Sequence, residues 1–479
     1  MSDFSNTTIA AISTALSESG IGIIRISGPD AVLICSEICE DKDGGKVLDR
    51  MEAGQFRHCF VADGTEILDE CIVLLYRAPH SYTGEDTVEI QCHGGIFLLK
   101  KVLALVIKRG AEMAAPGEFT RRAFLNGKMD LAQAEAVMDV ISSRSESALR
   151  ASRDQMSGRI SEIIRGLRAR ILYETAYIES AIDDPEHYDL EGYDLHISEI
   201  VKQLKEDIKK LIISYDSGRN VKEGISTCIA GRPNSGKSSL LNLLTGVDRA
   251  IVSDIPGTTR DTIEEYVRLD DMLLRLTDTA GIRSTDDPIE TIGTKKALDA
   301  ASGADLVLFM IDASEYLDND DLEIFTSIYD KKVIVILNKA DKDIKISPAD
   351  IYEHFRYCSD VKMAGMSQED FLSKYPCIVM SVSEGQGLDE LKSVISELFI
   401  GGKVQSSSDV VITGLRHKEL LSSAYESLSN VLECIESGME TDIYTVDLMD
   451  AYRSLGQIIG EEVGDDLADE IFSKFCMGK

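Results

Sequence analysis

No apolar run in this chain approaches the roughly 20 residues that a bilayer-spanning helix requires, so no membrane span is expected. The N-terminal Met1-Ser2-Asp3-Phe4-Ser5-Asn6 lacks the basic start and apolar core of a secretory signal, and a cytoplasmic protein is expected. The ten cysteines include no CxxC pair and no metal-ligand spacing. Cys35 and Cys39 lie four apart in an apolar helical pattern and read as buried thiols. His58-Cys59 and Cys92-His93 are single adjacent pairs, too little for a zinc site. Positive charge is also scarce: 50 Lys and Arg against 83 Asp and Glu leave a net charge of −33. Such a field repels phosphate backbones, so any RNA role needs a local basic surface or a partner. One candidate surface runs through Arg144, Arg150, Arg153, Arg159, Arg165, Arg168 and Arg170. Its plainer reading is the solvated face of an amphipathic helix.

What is present is a chain of 479 residues with 44% hydrophobic and 28% charged side chains, ordinary for a globular protein and too long for one core. Thr8–Ala15 and Ile21–Ile26 are short apolar segments, Glu70–Tyr76 and Thr87–Gln91 read as strands, and Gly94-Gly95 and Pro116-Gly117 punctuate them. From Ala132 to Asp183 the spacing is helical with hardly a breaker, and Ile197–Ser214 repeats it with Ile200, Leu204, Ile208 and Leu211 on one face. Asp216-Ser-Gly-Arg-Asn220 reads as a linker. Apolar strands then alternate with helices from Ile225 to about Phe399, as in a parallel α/β sheet. Gly401-Gly402 through Ser408 reads as a second linker, and Leu415–Phe475 as helical. The expected fold is multidomain α/β plus α. It has an α/β domain at 1–128, a helical domain at 129–220 and 403–479, and a Ras-like P-loop domain with a mostly parallel sheet inserted at 221–402.

Gly231-Arg-Pro-Asn-Ser-Gly-Lys-Ser238 matches GxxxxGK[ST], after the apolar Ser226–Ala230 and before the helical run Ser239–Leu244. Glycines let backbone N–H groups curl around phosphate oxygens, helped by the following helix N-terminus. Asn234, Ser235, Gly236, Lys237, Ser238 and Ser239 are therefore assigned to phosphate. Lys237 is expected on the β- and γ-phosphates and the Ser238 hydroxyl on Mg²⁺. Asp278-Thr279-Ala280-Gly281 follows the apolar Leu273–Leu276, placing a carboxylate near the metal and a glycine near the γ-phosphate. Asn338-Lys339-Ala340-Asp341 ends the run Val333–Leu337. There the Asp341 carboxylate can accept from guanine N1–H and the 2-amino group, a donor pair adenine lacks. Gly257-Thr258-Thr259-Arg260-Asp261 occupies the switch position, with Thr259 as a second hydroxyl for Mg²⁺, and Ser253, Asp254, Ile255 and Pro256 before it are assigned to the nucleotide as well. Ser381-Val382-Ser383 corresponds to the guanine-contacting loop. Four motifs in order make a GTP site. Ile282 stands where Ras-like relatives carry the glutamine that orients water, so catalysis needs another source of charge.

Further blocks narrow the reading: Pro79-His-Ser-Tyr-Thr-Gly-Glu-Asp86, Glu89-Ile-Gln-Cys-His-Gly-Gly95, Pro116-Gly-Glu-Phe-Thr-Arg-Arg-Ala-Phe-Leu-Asn-Gly-Lys128, Met129-Asp-Leu-Ala-Gln-Ala-Glu-Ala136 and the terminal Phe475-Cys-Met-Gly-Lys479. Together they resemble the tRNA-modifying GTPase family MnmE (TrmE) over essentially the whole chain. The resemblance implies a folate-binding, homodimerising N-terminal domain, with folate contacts at Arg25, Glu89, Lys128 and Lys479. The ligand would be a tetrahydrofolate derivative, 5-formyl- or 5,10-methylene-. It implies a K⁺ ion held by Asn234, Ser253, the Ile255 carbonyl and Thr258 in place of the missing charge, and Glu290 as the catalytic carboxylate beside Lys237. It also implies an FAD-dependent, MnmG/GidA-like partner in a heterotetramer, with which an aminomethyl or carboxymethylaminomethyl group is added to C5 of the wobble uridine of certain tRNAs. FAD would come only through that partner, since Gly20-Ile-Gly-Ile-Ile24 lacks the third glycine of a dinucleotide fingerprint. Cys476 is a candidate for chemistry on the tRNA, with a packing role as the alternative. Departures from the family pattern are Ala15–Gly20 before the first strand, serine at 253, and Ser381-Val382-Ser383 itself. The competing classes are a ribosome-assembly GTPase, which typically carries a basic RNA-binding domain, and a nucleotide-dependent scaffold.

Overall fold

The computed structural model describes residues 7–184, 187, 192–247, 265–276, 303–356, 366–400, 410–461, 465–475 and 478. The chain forms two compact units, one from Met1–Ile141, Asp154–Lys205 and Leu420–Lys479, the other from Ser142–Arg153 and Glu206–Glu419.

In the first unit, β1 (Ile9–Ile12), β2 (Ser19–Ser27), β3 (Cys39–Glu40), β4 (Phe56–Asp63), β5 (Glu66–Tyr76), β6 (Thr87–Gly94) and β7 (Glu112–Met113) form one sheet in the order β3-β4-β5-β6-β2-β1-β7. All pairs are antiparallel except β1 with β7. Alternation along β2 buries Ile24 and Ile26 with the helix Ile96–Lys108 and leaves Arg25 on the opposite face. The same alternation separates thiol from imidazole. Cys59 and Cys92 are buried, whereas His58 and His93 stand outside on Glu70 and Asp69. Adjacent residues therefore cannot share an ion, and among the described residues no group of His, Cys, Asp or Glu fits a metal.

The long helical run expected over 132–183 is three helices, Leu131–Ser142, Glu146–Met156 and Arg159–Asp183. Serines make the breaks. The Ser145 hydroxyl accepts from Ala148 N at 3.1 Å, the Ser157 hydroxyl donates to Asp154 O at 2.6 Å, and Gly158 adopts φ 88°. The helix Arg159–Asp183 packs on Thr441–Ile459. At that contact Arg168 is buried over the Tyr452 ring at 3.9 Å and paired with Glu461. Arg165 pairs with Asp130 at 3.1 Å and Arg159 with Asp154 at 3.5 Å. Arg144 belongs to the other unit, over the Tyr266 ring at 3.9 Å. Arg144, Arg159, Arg165 and Arg168 of the arginine series are thus engaged in internal contacts.

In the second unit, β8 (Ile225–Gly231), β9 (Glu265–Leu269), β10 (Met272–Leu276), β11 (Leu306–Asp312), β12 (Lys332–Asn338) and β13 (Cys377–Val379) form a sheet in the order β13-β12-β11-β8-β10-β9. Only β9 runs antiparallel. β11 is buried along its whole length, as a central parallel strand covered on both faces must be. Lys237–Val247 and Leu388–Ile400 cover one face, and Asn319–Ile328, Pro348–Phe355 and Gln368–Lys374 the other. β8, β11 and β12 end together at Gly231, Asp312 and Asn338, the carboxyl edge where such sheets bind ligands.

The linker expected at Asp216–Asn220 is a correction: one helix, Tyr193–Glu223, runs through it. Gly218 lies against the segment before Leu415, where a Cβ would come 2.1 Å from Ile412 O. Ser214 Oγ accepts from Ile412 N at 3.1 Å, and Arg219 pairs with Asp305 at 2.5 Å. These polar and small residues serve packing, not flexibility. The buried face of this helix keeps Leu204 and Ile208 of the expected stripe and takes Ile197 and Val201 where Ile200 and Leu211 were expected. The second expected linker lies outside the described residues. Within the first unit, packing also joins 1–128 to the last stretch of the chain. Phe472 O and Phe475 Cβ would lie 2.5 and 2.8 Å from a Cβ at Gly117, beside the helix Glu118–Leu125. Among the described residues no helix is long and apolar enough to cross a membrane.

Candidate active site

Each glycine of the loop after β8 is held by a neighbour. Gly231 has φ 144°, and a Cβ there would meet Met310 O at 2.3 Å. Gly236 has φ 105°, and a Cβ there would meet Asn338 Nδ2 at 2.2 Å. Asn234 also turns through the left-handed region at φ 62°, which asparagine tolerates better than most residues. The helix Lys237–Val247 starts directly behind, so the first amides after Gly236 face the loop without intrahelical partners. Lys237 Nζ donates to Gly231 O at 2.8 Å and Arg232 O at 2.7 Å, which brings its ammonium across the loop. A concave run of N–H groups with one ammonium is a cradle for phosphate. Ser238 and Ser239 lie in the first helical turn, and the Ser238 hydroxyl is the hard oxygen donor that Mg²⁺ prefers.

Asn338 is the keystone. Buried at the end of β12, it donates from Nδ2 to Ser235 O at 2.8 Å and accepts at Oδ1 from Val382 N at 3.1 Å. One amide thus ties the phosphate loop to the loop after β13. The exposed Asp341 carboxylate accepts from Ser381 Oγ at 2.7 Å and Ser383 Oγ at 3.4 Å. The Ser381 hydroxyl, with lesser help from Ser383, lowers the Asp341 pKa from its ordinary value. Asp341 is therefore an ionised acceptor with a fixed direction, as recognition of a two-donor base edge requires.

Three acidic residues that no motif marks brace this site. Arg232 bonds Asp321 at 3.0 Å through Nε and also pairs with Asp318, which caps the helix Asn319–Ile328 in a capping box. Lys339, at φ 64°, pairs through Nζ with Asp312 Oδ2 at 2.5 Å. No motif points to these partners, because each pair closes only when β8, β11 and β12 lie side by side. Ser253, Asp254, Ile255, Pro256, Gly257, Thr258, Thr259, Asp278, Thr279, Ala280, Gly281 and Glu290 lie outside the described residues.

A second cluster forms in the other unit. Arg25 and Glu89 face each other across β2 and β6 and pair at 2.8 Å, both about 15% exposed. The Arg25 guanidinium lies 5.3 Å from the Tyr82 ring centre and 5.7 Å from that of Phe119. Its Nη1 donates to Gly478 O at 3.4 Å, and Ser13 Oγ donates to the same carbonyl at 3.0 Å. The chain end is thus seated on β1 and β2. Lys128 donates to Pro79 O at 2.9 Å, and its methylenes border Gly84 in the loop that carries Tyr82. Tyr82 and Phe119 sit inside the quoted sequence blocks, yet nothing in their spacing marks them as walls of this cluster. Cys476 and Lys479 lie outside the described residues.

Residues 8–128 match the family model of the GTP-binding protein TrmE N-terminus, and residues 131–476 match that of the MnmE helical domain. A tRNA modification GTPase MnmE of Lachnoclostridium phytofermentans is 46% identical over 98% of this chain and 99% of its own. The proteins of that name from Acetivibrio thermocellus and Clostridioides difficile are 43% and 41% identical, over 98% and 99% of this chain and 99% and 100% of theirs. Matches of this identity run along nearly the whole of both chains, and the chain belongs to the MnmE family of tRNA modification GTPases.

Proposed function

We propose that this protein hydrolyses GTP, with Mg²⁺, in the modification of tRNA. The observation that carries the reading is the Asn338 bridge, which joins a phosphate cradle to a carboxylate suited to guanine. In this reading Lys237 meets the charge on the β- and γ-phosphates, and the amides after Gly236 orient the phosphates. Ser238 and Thr259 hold Mg²⁺, which when bound neutralises phosphate charge. Ile282 cannot orient water; as the family resemblance implies, Asn234, Ser253, Ile255 O and Thr258 would hold a K⁺ ion that would supply charge where an arginine finger otherwise does, and Glu290 would position water indirectly.

The Arg25–Glu89 cluster suits a tetrahydrofolate derivative. Arginine and lysine meet carboxylates, Glu89 accepts from a pterin amine, and Tyr82 offers an aromatic wall. Building an aminomethyl group from a one-carbon unit needs redox chemistry, which belongs to a cofactor and not to side chains. An FAD-dependent partner, joined to a homodimer of this chain, supplies it and a surface for tRNA that a charge of −33 does not.

GTP turnover in K⁺ and in Na⁺ tests the reading. We expect K⁺ to raise the rate on the order of tenfold or more. Lys237→Ala should abolish turnover and, in a reconstitution with partner, folate and tRNA, abolish the modified uridine. Equal rates in the two salts reject the K⁺ assignment, and modified uridine made without the partner rejects the division of labour.

A further inference from the structure

We infer that Asp312 is a positioning residue for guanine nucleotide, acting through Lys339. The inference rests on the GTP reading above and deepens it. Asp312 is the last residue of β11 and stands in register with Asn338, the last residue of β12. Its side chain is 8% exposed, and the pair it makes with Lys339 Nζ is 2.5 Å long. The other carboxylate oxygen accepts from Ser314 N at 3.0 Å and Ser314 Oγ at 2.7 Å, so both oxygens are engaged. Burial alone would raise the Asp312 pKa, but the Lys339 ammonium and the two Ser314 donors outweigh it and leave the group below its ordinary value. Asp312 is therefore a fixed anion at the strand edge.

Lys339 needs such an anchor. It sits between Asn338, which is locked from both sides, and Asp341, the base acceptor. Its backbone turns through φ 64°, a conformation that strains a lysine. A lysine stem has four methylenes and free rotors, and unanchored it would sweep the space beside Asp341. With Nζ fixed on Asp312, the stem is held at one place in the same loop that carries Asp341 two residues on. An apolar stem with an immobilised head is a suitable cover for a planar heterocycle. The pair also pre-orders the site, so less side-chain entropy is lost when nucleotide arrives. The strand edge supports this role with further bonds of its own: Ala313 N donates to Asn338 O and Lys345 N to Ala313 O, both at 2.8 Å.

The test uses Asp312→Asn in the full-length protein, which keeps the shape and an acceptor for Ser314 but removes the charge. Affinity for a fluorescent GDP and KM for GTP are measured with kcat, beside Lys339→Ala and the double variant. We expect GDP to bind about tenfold more weakly in each single variant, KM to rise with it, and kcat at saturation to change far less. The double variant should be no worse than Lys339→Ala, because the two changes remove one device. Losses that multiply in the double variant overturn the inference, and so does unchanged affinity in Asp312→Asn. Asp312→Glu keeps the charge and should recover part of the affinity; a fall as deep as in Asp312→Asn with a lowered melting temperature would mean that the residue only supports the strand. If the wild type binds no guanine nucleotide, the GTP reading fails first, and the two failures are told apart.

Discussion

Two hydroxyls hold the Asp341 carboxylate, and its recognition chemistry depends on staying ionised. The Ser381 hydroxyl lowers its pKa, so the acceptor form persists as pH falls through the ordinary carboxylate range and is lost only below it. Ser381→Ala removes the larger of these stabilising bonds. GDP affinity should then fall at a higher pH than in the wild type as the pH is lowered through the ordinary carboxylate value of about 4 and below it. A titration by fluorescence anisotropy reads the two midpoints, and coincident midpoints would reject the role given to Ser381. At this scale short motifs single out Lys237, Ser238, Asn338 and Asp341, which the structure gathers at the carboxyl edge of the second sheet. The sequence was silent on Asp312, on the Arg232 pairs with Asp318 and Asp321, and on Tyr82 beside Arg25. Those partners are remote in sequence or carry no spacing signal, and only strand pairing brings them into contact.

Glycines at the helix scale separate two meanings of one residue. Gly218 lies inside the helix Tyr193–Glu223, where a Cβ would come 2.1 Å from the Ile412 carbonyl. Gly166 lies inside Arg159–Asp183 with open space around it. Gly218→Val should destabilise by about 1–3 kcal/mol through overpacking. Gly166→Ala should stabilise by about 0.5–1 kcal/mol, since alanine loses less backbone entropy in a helix. Urea midpoints followed by circular dichroism would show the opposite signs, and two shifts in the same direction would contradict the packing described. The same contrast explains the misread linker. Asp216-Ser-Gly-Arg-Asn220 has the composition of a break, yet its glycine is there for close approach. The strands at Glu70–Tyr76 and Thr87–Gln91, by comparison, were legible, and one face of the sheet is buried there. The serine breaks after Ser142 and Met156 were missed because apolar spacing continues across them.

At the scale of the whole chain, the meeting of its two ends has the most consequence. Gly478 O bonds Ser13 and Arg25, groups more than 450 residues earlier in the chain, and Gly478 takes φ 89° where a Cβ would meet Ile12 O at 2.4 Å. The approach is prepared upstream, because Phe472 and Phe475 pack with Leu131 and Ala134 and with Phe124. The body of the last helix therefore holds its place without the final four residues. Removing Cys476–Lys479 should leave the fold intact but strip Arg25 of one partner and withdraw Lys479 from the proposed folate site. Binding of 5-formyltetrahydrofolate, measured by calorimetry, should weaken about tenfold or more, the scale of losing charge-assisted bonds to a carboxylate. Gly478→Ala makes the complementary case: it keeps every charge but cannot adopt the bend without strain. If the tail acts by delivering Lys479, this variant should weaken folate as well, with GTP turnover in the other unit unchanged. Full folate affinity in the truncated protein would separate the seated tail from the folate site and leave it a purely structural clasp. A parallel loss of GTP binding would point instead to collapse of the chain.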